Sequence, residues 1–194
     1  RVGYVGQALP KCEVKFSQEK EILIKHEALM LGYYKDIDKT NEIIKDGWLH
    51  TGDEGEIDKD GFLRITGRVK DIFKTSKGKY IAPSPIEMKL SENSNIEQVC
   101  VVGTGIPQPI ALVVLSENAK KSINYKVSIE ETLKDVNQTL DKHEVIHNLI
   151  VVDDVWTVEN KFLTPSMKIK RKTIEKKYQA NYSTWYDQNN IIVL

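Results

Sequence analysis

Residues 47–87 read GWLHTGDEGEIDKDGFLRITGRVKDIFKTSKGKYIAPSPIE. Two apolar runs, EID and FLRI, flank Lys59-Asp60-Gly61. An Asp-Gly pair between such runs is a strong hairpin signal, because glycine takes a positive φ at no steric cost. The pattern predicts a β-meander with Asp53 on the loop just before it and Arg68 at its end. Two neighbouring strand ends can bring these side chains to one site. A carboxylate there can accept both hydroxyls of a ribose, and a guanidinium beside it offers planar paired donors to sugar or phosphate oxygens. A plain surface ion pair is the alternative. Beyond Arg68, DIFKTSKGKYIAP reads as a second hairpin turning at Ser76-Lys77-Gly78. Ser84-Pro85-Ile86-Glu87 then carries a capping box with proline at the first helical position, which predicts a helix to about Asn93.

Upstream, Arg1 to about Val69 is a succession of short alternating runs: Cys12, Val14 and Phe16 among polar neighbours, then EILIKH, then WLHT. DIDKTNEIIKDG interrupts them as a short helical turn, with Asp38 or Thr40 as cap and Gly47 as stop. Downstream the character becomes mixed α/β. Strands are expected at about 97–103 and 110–115, followed by a capping box at Ser128 and Glu131. That box opens a helix with Ile129, Leu133, Val136 and Leu140 on one face. A strand NLIVVD and a basic helix from about Ile169 complete the series. There is no internal repeat and no low-complexity tract. The composition break near residue 69 divides the chain into 1–69 and 70–194, and the expected fold class is α+β.

The chain has 194 residues, with 28 Lys plus Arg against 28 Asp plus Glu. That length suits one domain or two small ones. The even balance supplies no overall field for holding nucleic acid or an anionic bilayer. Cys12 and Cys100 sit in apolar, strand-like runs without CxxC spacing, which reads as two buried thiols in a reducing compartment rather than a zinc site or a disulfide. The stretch VCVVGTGIPQPIALVVL is broken by Gly103, Gly105, Pro107, Gln108 and Pro109, so it is a strand, a turn and a strand rather than a membrane span. No signal peptide is recognisable, and an opening Arg1 inside structured sequence points to a fragment.

Several motifs mimic chemistry that their surroundings do not support. His143-Glu144-Val145-Ile146-His147 matches the zinc-peptidase pattern HExxH, which requires one helix through both histidines and a third ligand. Here the preceding apolar face ends near Leu140 and a strand begins at Asn148, so the pair straddles a loop. His26 and His50 lie in the other half of the chain. Glu56–Gly61 resembles the start of a calcium loop, but Gly67 stands where a bidentate glutamate is needed. Gly103-Thr104-Gly105 has Gln108 in place of the third glycine of a dinucleotide fingerprint and precedes a strand. Between Lys161 and Lys177 seven lysines or arginines accompany a single acid, Glu175. A solvated helix face accounts for that bias, yet Thr164-Pro165-Ser166 just before the helix can hold a lysine on a short turn, aimed at a phosphate or carboxylate.

The stretch at 47–87, with LMLGYYKD upstream and TVENKFLTPSMKIKRKTIEKKY downstream, closely resembles the adenylate-forming superfamily of acyl-CoA synthetases, luciferases and peptide-synthetase adenylation domains. Within it the sequence is most similar to a long-chain fatty acid CoA ligase. The ordered series GYYK, DGWLHTGD, DGFLRITGR, an IxPxxIE helix start and TPSxKxKR carries the resemblance. It implies the β-rich end of the family's large domain at 1–69 and its small, mobile C-terminal domain at 70–194, a mixed α/β unit with a three-stranded sheet flanked by helices. It implies Asp53 as the ribose-binding aspartate and Arg68 as an arginine contacting the nucleotide. Lys70 falls at the interdomain hinge. Lys168 matches the lysine bridging carboxylate and α-phosphate, with Lys170 the neighbouring candidate, and Gly78 matches the glycine beside which the pantetheine of CoA passes.

The activity so implied is activation of a fatty acid by ATP, with Mg2+ neutralising the phosphates, followed by transfer of the acyl group to CoA. Rotation about Lys70 would exchange Lys168 for the Gly78 hairpin between the two steps. The family's phosphate loop, adenine-binding strand and acyl pocket belong upstream of Arg1, so these residues alone are expected to be inactive and to need that N-terminal part as partner. A cytoplasmic location is implied, and peripheral contact with a membrane is left open. A branch with another acceptor, or a non-catalytic module reusing the fold, are the alternatives. LDKHEVIHNL puts His143 near the position of an aromatic residue in other branches, which makes the HExxH match an accident.

Overall fold

The computed structural model describes residues 1–122 and 124–188, together with the backbone of Ile191–Val193. The chain divides into two units, Arg1–Asp71 and Ile72–Leu194.

The first unit contains β1 (Glu13–Phe16), β2 (Glu21–Lys25), α1 (Ile37–Ile43), β3 (Ile44–Lys45), β4 (Trp48–Ile57) and β5 (Leu63–Arg68). Its strands form one antiparallel sheet with β4 as the spine: β2 runs along one edge of β4, and β3 and β5 share the other. Lys45 and Trp48 face each other across Asp46-Gly47, whose φ values of +51° and +78° make a two-residue hairpin turn. Gly47 therefore closes a hairpin and does not stop the helix. The helix cap is likewise neither Asp38 nor Thr40. Asp36 directly precedes the first helical residue, and its carboxylate accepts from the Lys39 N–H at 3.0 Å. Thr40 instead lies under the turn, where its hydroxyl donates to Asp36 O at 2.7 Å and accepts from the Tyr33 N–H at 2.8 Å. The predicted meander turn is present between β4 and β5: Gly61 has a φ of +83°, and Asp58 Oδ1 accepts from the N–H groups of Asp60 and Phe62.

The second unit opens with a hairpin of β6 (Phe73–Lys74) and β7 (Tyr80–Ile81), then α2 (Pro83–Leu90), β8 (Ile96–Val102), β9 (Ile110–Leu115), α3 (Glu117–Lys120), α4 (Tyr125–Gln138), β10 (Leu149–Val151), α5 (Arg171–Tyr178), α6 (Tyr182–Tyr186) and β11 (Ile191–Val193). The sheet has the order β11-β10-β9-β8, so it contains four strands, not the expected three. A three-residue apolar run has no alternation to read, and only its parallel pairing with β10 makes β11 a strand. All six residues of β9 are buried, as a strand covered on both faces requires. On one face Val99, Val101, Ala111 and Val113 pack with Ile86 and Leu90 of α2 and with Ile129 and Val136 of α4. On the other, Cys100, Val102, Leu112 and Val114 pack with Trp156, Phe162, Ile174, Tyr182 and Trp185.

Neither predicted capping box forms. α2 starts at Pro83 with no side-chain cap and ends at Leu90, short of Asn93. α4 starts at Tyr125, ahead of Ser128, whose hydroxyl accepts from the side-chain amides of Asn93 and Asn95 at 3.1 Å. The His143–His147 segment follows α4 as a turn and an extended stretch. Its two histidines are not stacked along a helix, and the His147 ring lies against Tyr186 with centroids 4.1 Å apart. Among the described residues, no helix is long and apolar enough to cross a membrane.

Glu87 is diverted from its expected cap to the exposed edge of β8. Its Oε1 accepts from the Val101 N–H at 2.7 Å and from Arg171 Nη2 at 2.6 Å, while Arg171 Nη1 donates to Val101 O at 2.6 Å. The pair thus satisfies the N–H and the C=O that Val101 turns away from β9, doing for one residue what a further strand would do. The Arg171 and Glu87 side chains are only 10% and 16% exposed. Removing one partner of a largely buried pair typically costs about 3–5 kcal/mol, because the other is left uncompensated. Arg171→Met should therefore lower the unfolding free energy of the second unit by that order, measured by urea denaturation followed through the fluorescence of Trp156 and Trp185. The double variant Glu87→Gln, Arg171→Met should recover part of the loss. A cost below about 1 kcal/mol for Arg171→Met, within the range of exposed pairs, would show that the clamp is not needed.

Candidate functional site

Asp53 and Arg68 are direct cross-strand partners of β4 and β5, and Arg68 Nε donates to Asp53 Oδ1 at 2.9 Å. Asp53 lies within β4, not on a loop as the hairpin pattern placed it. The strand continues through Thr51-Gly52-Asp53 by bulging: two steps along β2, from Leu23 to Glu21, match four steps along β4, from His50 to Glu54. Gly52 makes this possible with a φ of +74°.

Three side chains hold the bulge. The Thr51 hydroxyl donates to Ile22 O at 2.8 Å and accepts from the Asp53 N–H at 3.1 Å. The two oxygens of Glu21 divide between the Gly52 N–H and His50 Nδ1, each at 2.8 Å.

The Asp53 carboxylate is 29% exposed and the Arg68 side chain 56%. A pair so open to water adds at most about 1 kcal/mol of stability. What it does is fix a carboxylate beside a guanidinium with capacity to spare: among the described residues, Asp53 Oδ2 and the two Nη atoms of Arg68 make no hydrogen bond. Hydrogen bonding to Asp53, aided by its charge and that of Asp71, raises the Arg68 pKa and keeps the guanidinium charged. Lys70 follows in a single helical turn, Val69–Asp71, with its Nζ 3.3 Å from Glu42 Oε1. Both of those side chains are largely exposed.

In the second unit Lys168 ends a tight loop. Leu163 and Ile169 bridge across it, the Thr164 N–H donates to Lys168 O at 2.8 Å, and the Lys168 N–H donates back to Thr164 Oγ1 at 3.0 Å. Met167 takes a φ of +61° to close the turn. Lys168 is exposed, and among the described residues its ammonium has no ion-pair partner. Lys170 is half-buried and serves as the N-cap residue of α5, with its N–H bonded to Phe162 O.

The basic helix is not uniformly solvated. Lys177 and Tyr178 both donate to Asp154, which holds that carboxyl below its ordinary range, the Lys177 bond contributing most. Burial first, and Asp154 second, push the Tyr178 phenol up. Gly78 closes the β6–β7 hairpin at a φ of +77°, its N–H bonded to Thr75 O at 2.9 Å. A Cβ there would meet nothing nearer than Lys74 Cε at 3.7 Å. The turn itself thus requires glycine, and the backbone is left uncovered.

Of the residues singled out from sequence, the structure brings Asp53 and Arg68 into contact. Lys70 belongs to the same unit, while Gly78, Lys168 and Lys170 belong to the second. Sequence reasoning missed Glu21, His50, Glu87 and Arg171. Arg171 did leave a signal, since a cation in the first turn opposes the helix dipole and needs a reason to be there. No group of three or more His, Cys, Asp or Glu side chains able to hold a metal occurs among the described residues.

Known proteins resemble this chain in sequence and in architecture. A long-chain-fatty-acid–CoA ligase of Mycobacterium tuberculosis is 30% identical over 97% of this chain and 34% of its own length. Long-chain-fatty-acid–CoA ligase 5 of Mus musculus is 34% identical over 88% of this chain and 28% of its own. The chain thus spans about a third of the length of the curated relatives it matches. In three dimensions, the adenylation domain of a carboxylate reductase from Mycobacterium chelonae superposes with a TM-score of 0.77 at 23% identity, covering 94% of this chain and 32% of that one. Residues 70–190 match the AMP-binding enzyme C-terminal domain, and with more than half its length inside that match the chain belongs to this family of adenylate-forming enzymes.

Proposed function

We propose that the chain works as the C-terminal part of a long-chain fatty acid CoA ligase that forms AMP. The observation that carries this reading is the bulge in β4, which sets Asp53 against Arg68 with hydrogen-bonding capacity left over. A carboxylate so held accepts the two hydroxyls of a ribose, while the adjacent cation donates to the sugar or phosphate oxygens. The matched ligases support fatty acid and CoA as the other reactants.

In the first step an oxygen of the fatty acid carboxylate attacks the α-phosphorus of ATP, and pyrophosphate leaves. Mg2+ enters with ATP as part of the substrate, and no residue of this chain is assigned to it. Lys168 would bridge the attacking carboxylate and the α-phosphate, neutralising charge that builds as the new bond forms. In the second step the sulfur of CoA attacks the acyl carbon, AMP leaves, and the thiol proton passes to solvent. Gly78 would let the pantetheine run against bare backbone, flanked by the exposed Lys74, Lys77 and Lys79, whose charge suits the CoA phosphates. Lys70 would be the hinge on which the second unit turns between the two steps. A cytoplasmic location is part of the same proposal. The phosphate loop, adenine contacts and acyl pocket would come from sequence outside these residues.

The assignment is tested by fatty-acid-dependent ATP–pyrophosphate exchange in the full-length protein. Losing one preorganised donor of this kind costs on the order of 100–1000-fold, so Lys168→Ala should slow exchange by that factor. Full loss in Lys170→Ala with none in Lys168→Ala would move the role to Lys170, and unchanged exchange in both would end the catalytic assignment. For the hinge, Lys70→Pro, which fixes φ near −65°, should leave exchange largely intact and slow thioester formation. Equal losses in both half-reactions would reject rotation about Lys70.

A further inference from the structure

The position of Asp53 is set from β2 as well as from its own hairpin. The β4–β5 turn lies beyond Ile57, and the ion pair to Arg68 uses only one carboxylate oxygen. The irregular part of β4, Thr51-Gly52-Asp53, has no regular partner on β2, since the pairing steps from Leu23↔His50 to Glu21↔Glu54. An extended backbone with unpaired N–H groups relaxes toward a regular register unless side chains take those groups up.

Glu21, the first residue of β2, does this with both oxygens. Oε1 accepts from the Gly52 N–H, one residue before Asp53, and Oε2 bonds His50 Nδ1, three residues before it. The Glu21 and His50 side chains are 16% and 27% exposed, so these charge-assisted bonds lie in a partly dehydrated site where they are stronger than on an open surface. The sheet itself does not need them, because β2 and β4 also pair regularly at Leu23↔His50 and Ile24↔Leu49.

We propose that Glu21 is a positioning residue for the nucleotide: by gripping Gly52 and His50 it holds the β4 bulge that aims Asp53 at the ribose hydroxyls. The inference rests on the ligase reading, in which Asp53 binds that sugar. Glu21 touches neither ATP nor the acyl group, and it acts on selectivity for the ribose by fixing where the Asp53 carboxylate stands.

The test uses ATP–pyrophosphate exchange by the full-length protein with ATP, 2′-deoxy-ATP and 3′-deoxy-ATP, comparing wild type with Asp53→Ala, Glu21→Ala and Glu21→Gln. Misplacement of a binding group by about 1 Å can cost 100-fold, so Glu21→Ala is expected to raise the KM for ATP on the order of 10–100-fold while changing kcat little. The preference for ATP over both deoxy analogues should shrink toward unity, as is also expected for Asp53→Ala. Glu21→Gln should rescue, because its amide oxygen can accept from the Gly52 N–H while its NH2 donates to His50 Nδ1 in the other imidazole tautomer.

If Glu21→Ala lowers activity with ATP and with the deoxy analogues equally, its role is structural and the proposal is overturned. If Asp53→Ala erases the discrimination and Glu21→Ala does not, the positioning role fails while the ribose reading stands. If Asp53→Ala itself leaves the discrimination intact, the ribose reading falls and this inference with it. Should Glu21→Ala fail to fold, Glu21→Asp, one methylene shorter and unable to span both partners, is read by the same three outcomes.

Discussion

The second unit depends on what happens at the free edge of β8. A strand at the end of a sheet presents N–H and C=O groups with no neighbour, and burying them unpaired would cost more than a single packing contact returns. At Val101 the chain answers with an ion pair: Glu87 takes the N–H and Arg171 gives to the C=O. A largely buried pair is a poor source of stability on its own, because desolvation offsets much of the attraction. Here the same two side chains also satisfy backbone groups, which changes the comparison. The consecutive elements α2 and β8 and the distant α5 are thereby joined at one residue.

That junction decides the place of the lysine loop. Arg171 is the first residue of α5, three positions after Lys168, and the loop that Lys168 ends is closed on itself by Thr164. The guanidinium therefore anchors the base of the loop to the sheet while the tip stays in water. In the first unit the corresponding work is done by a different kind of contact. Glu21 does not fill a buried salt bridge but spreads over a backbone N–H and an imidazole at the rim of a bulge. Both sites thus rest on a carboxylate that no local pattern assigns to them. The even net charge conceals a matching asymmetry, with acids gathered from Asp53 to Asp60 and bases from Lys161 to Lys177.

The parts legible in the sequence were those whose cause is local. Gly61 and Gly78 announce their hairpins because a positive φ excludes most other residues, and β9 and the Val99–Val102 end of β8 announce burial by their unbroken apolar character. Asp53 and Arg68 were legible as residues but not as a geometry, because the bulge in β4 that carries Asp53 is bonded to β2, through Thr51 to Ile22 O and through Gly52 to Glu21. The two capping boxes misled for the same reason. Ser84 and Glu87 stand at capping distance, but Glu87 takes two strong partners at the sheet edge in place of the single N–H a capping box would offer it. Asp46-Gly47 satisfied two local rules at once, a helix stop and a hairpin turn, and the pairing of Lys45 with Trp48 selected the second.

The choice between Lys168 and Lys170 follows from the same anchoring. Lys170 caps α5 with its backbone, is half-buried, and sits at the end of the helix where the dipole repels a cation. Its backbone is further tied to Phe162 O, so the stem of its side chain starts from a fixed and crowded point. Lys168 starts two residues farther out, beyond the bridge of Leu163 with Ile169, on a loop whose own hydrogen bonds hold the backbone while leaving the ammonium exposed. An ammonium meant to meet a phosphate anion must give up its hydration at the moment of contact and not before, which favours a cation held in water on a rigid stem over one already half-dehydrated by its own fold. On those grounds the proposed contact with an incoming anion falls to the loop lysine and not to the capping one.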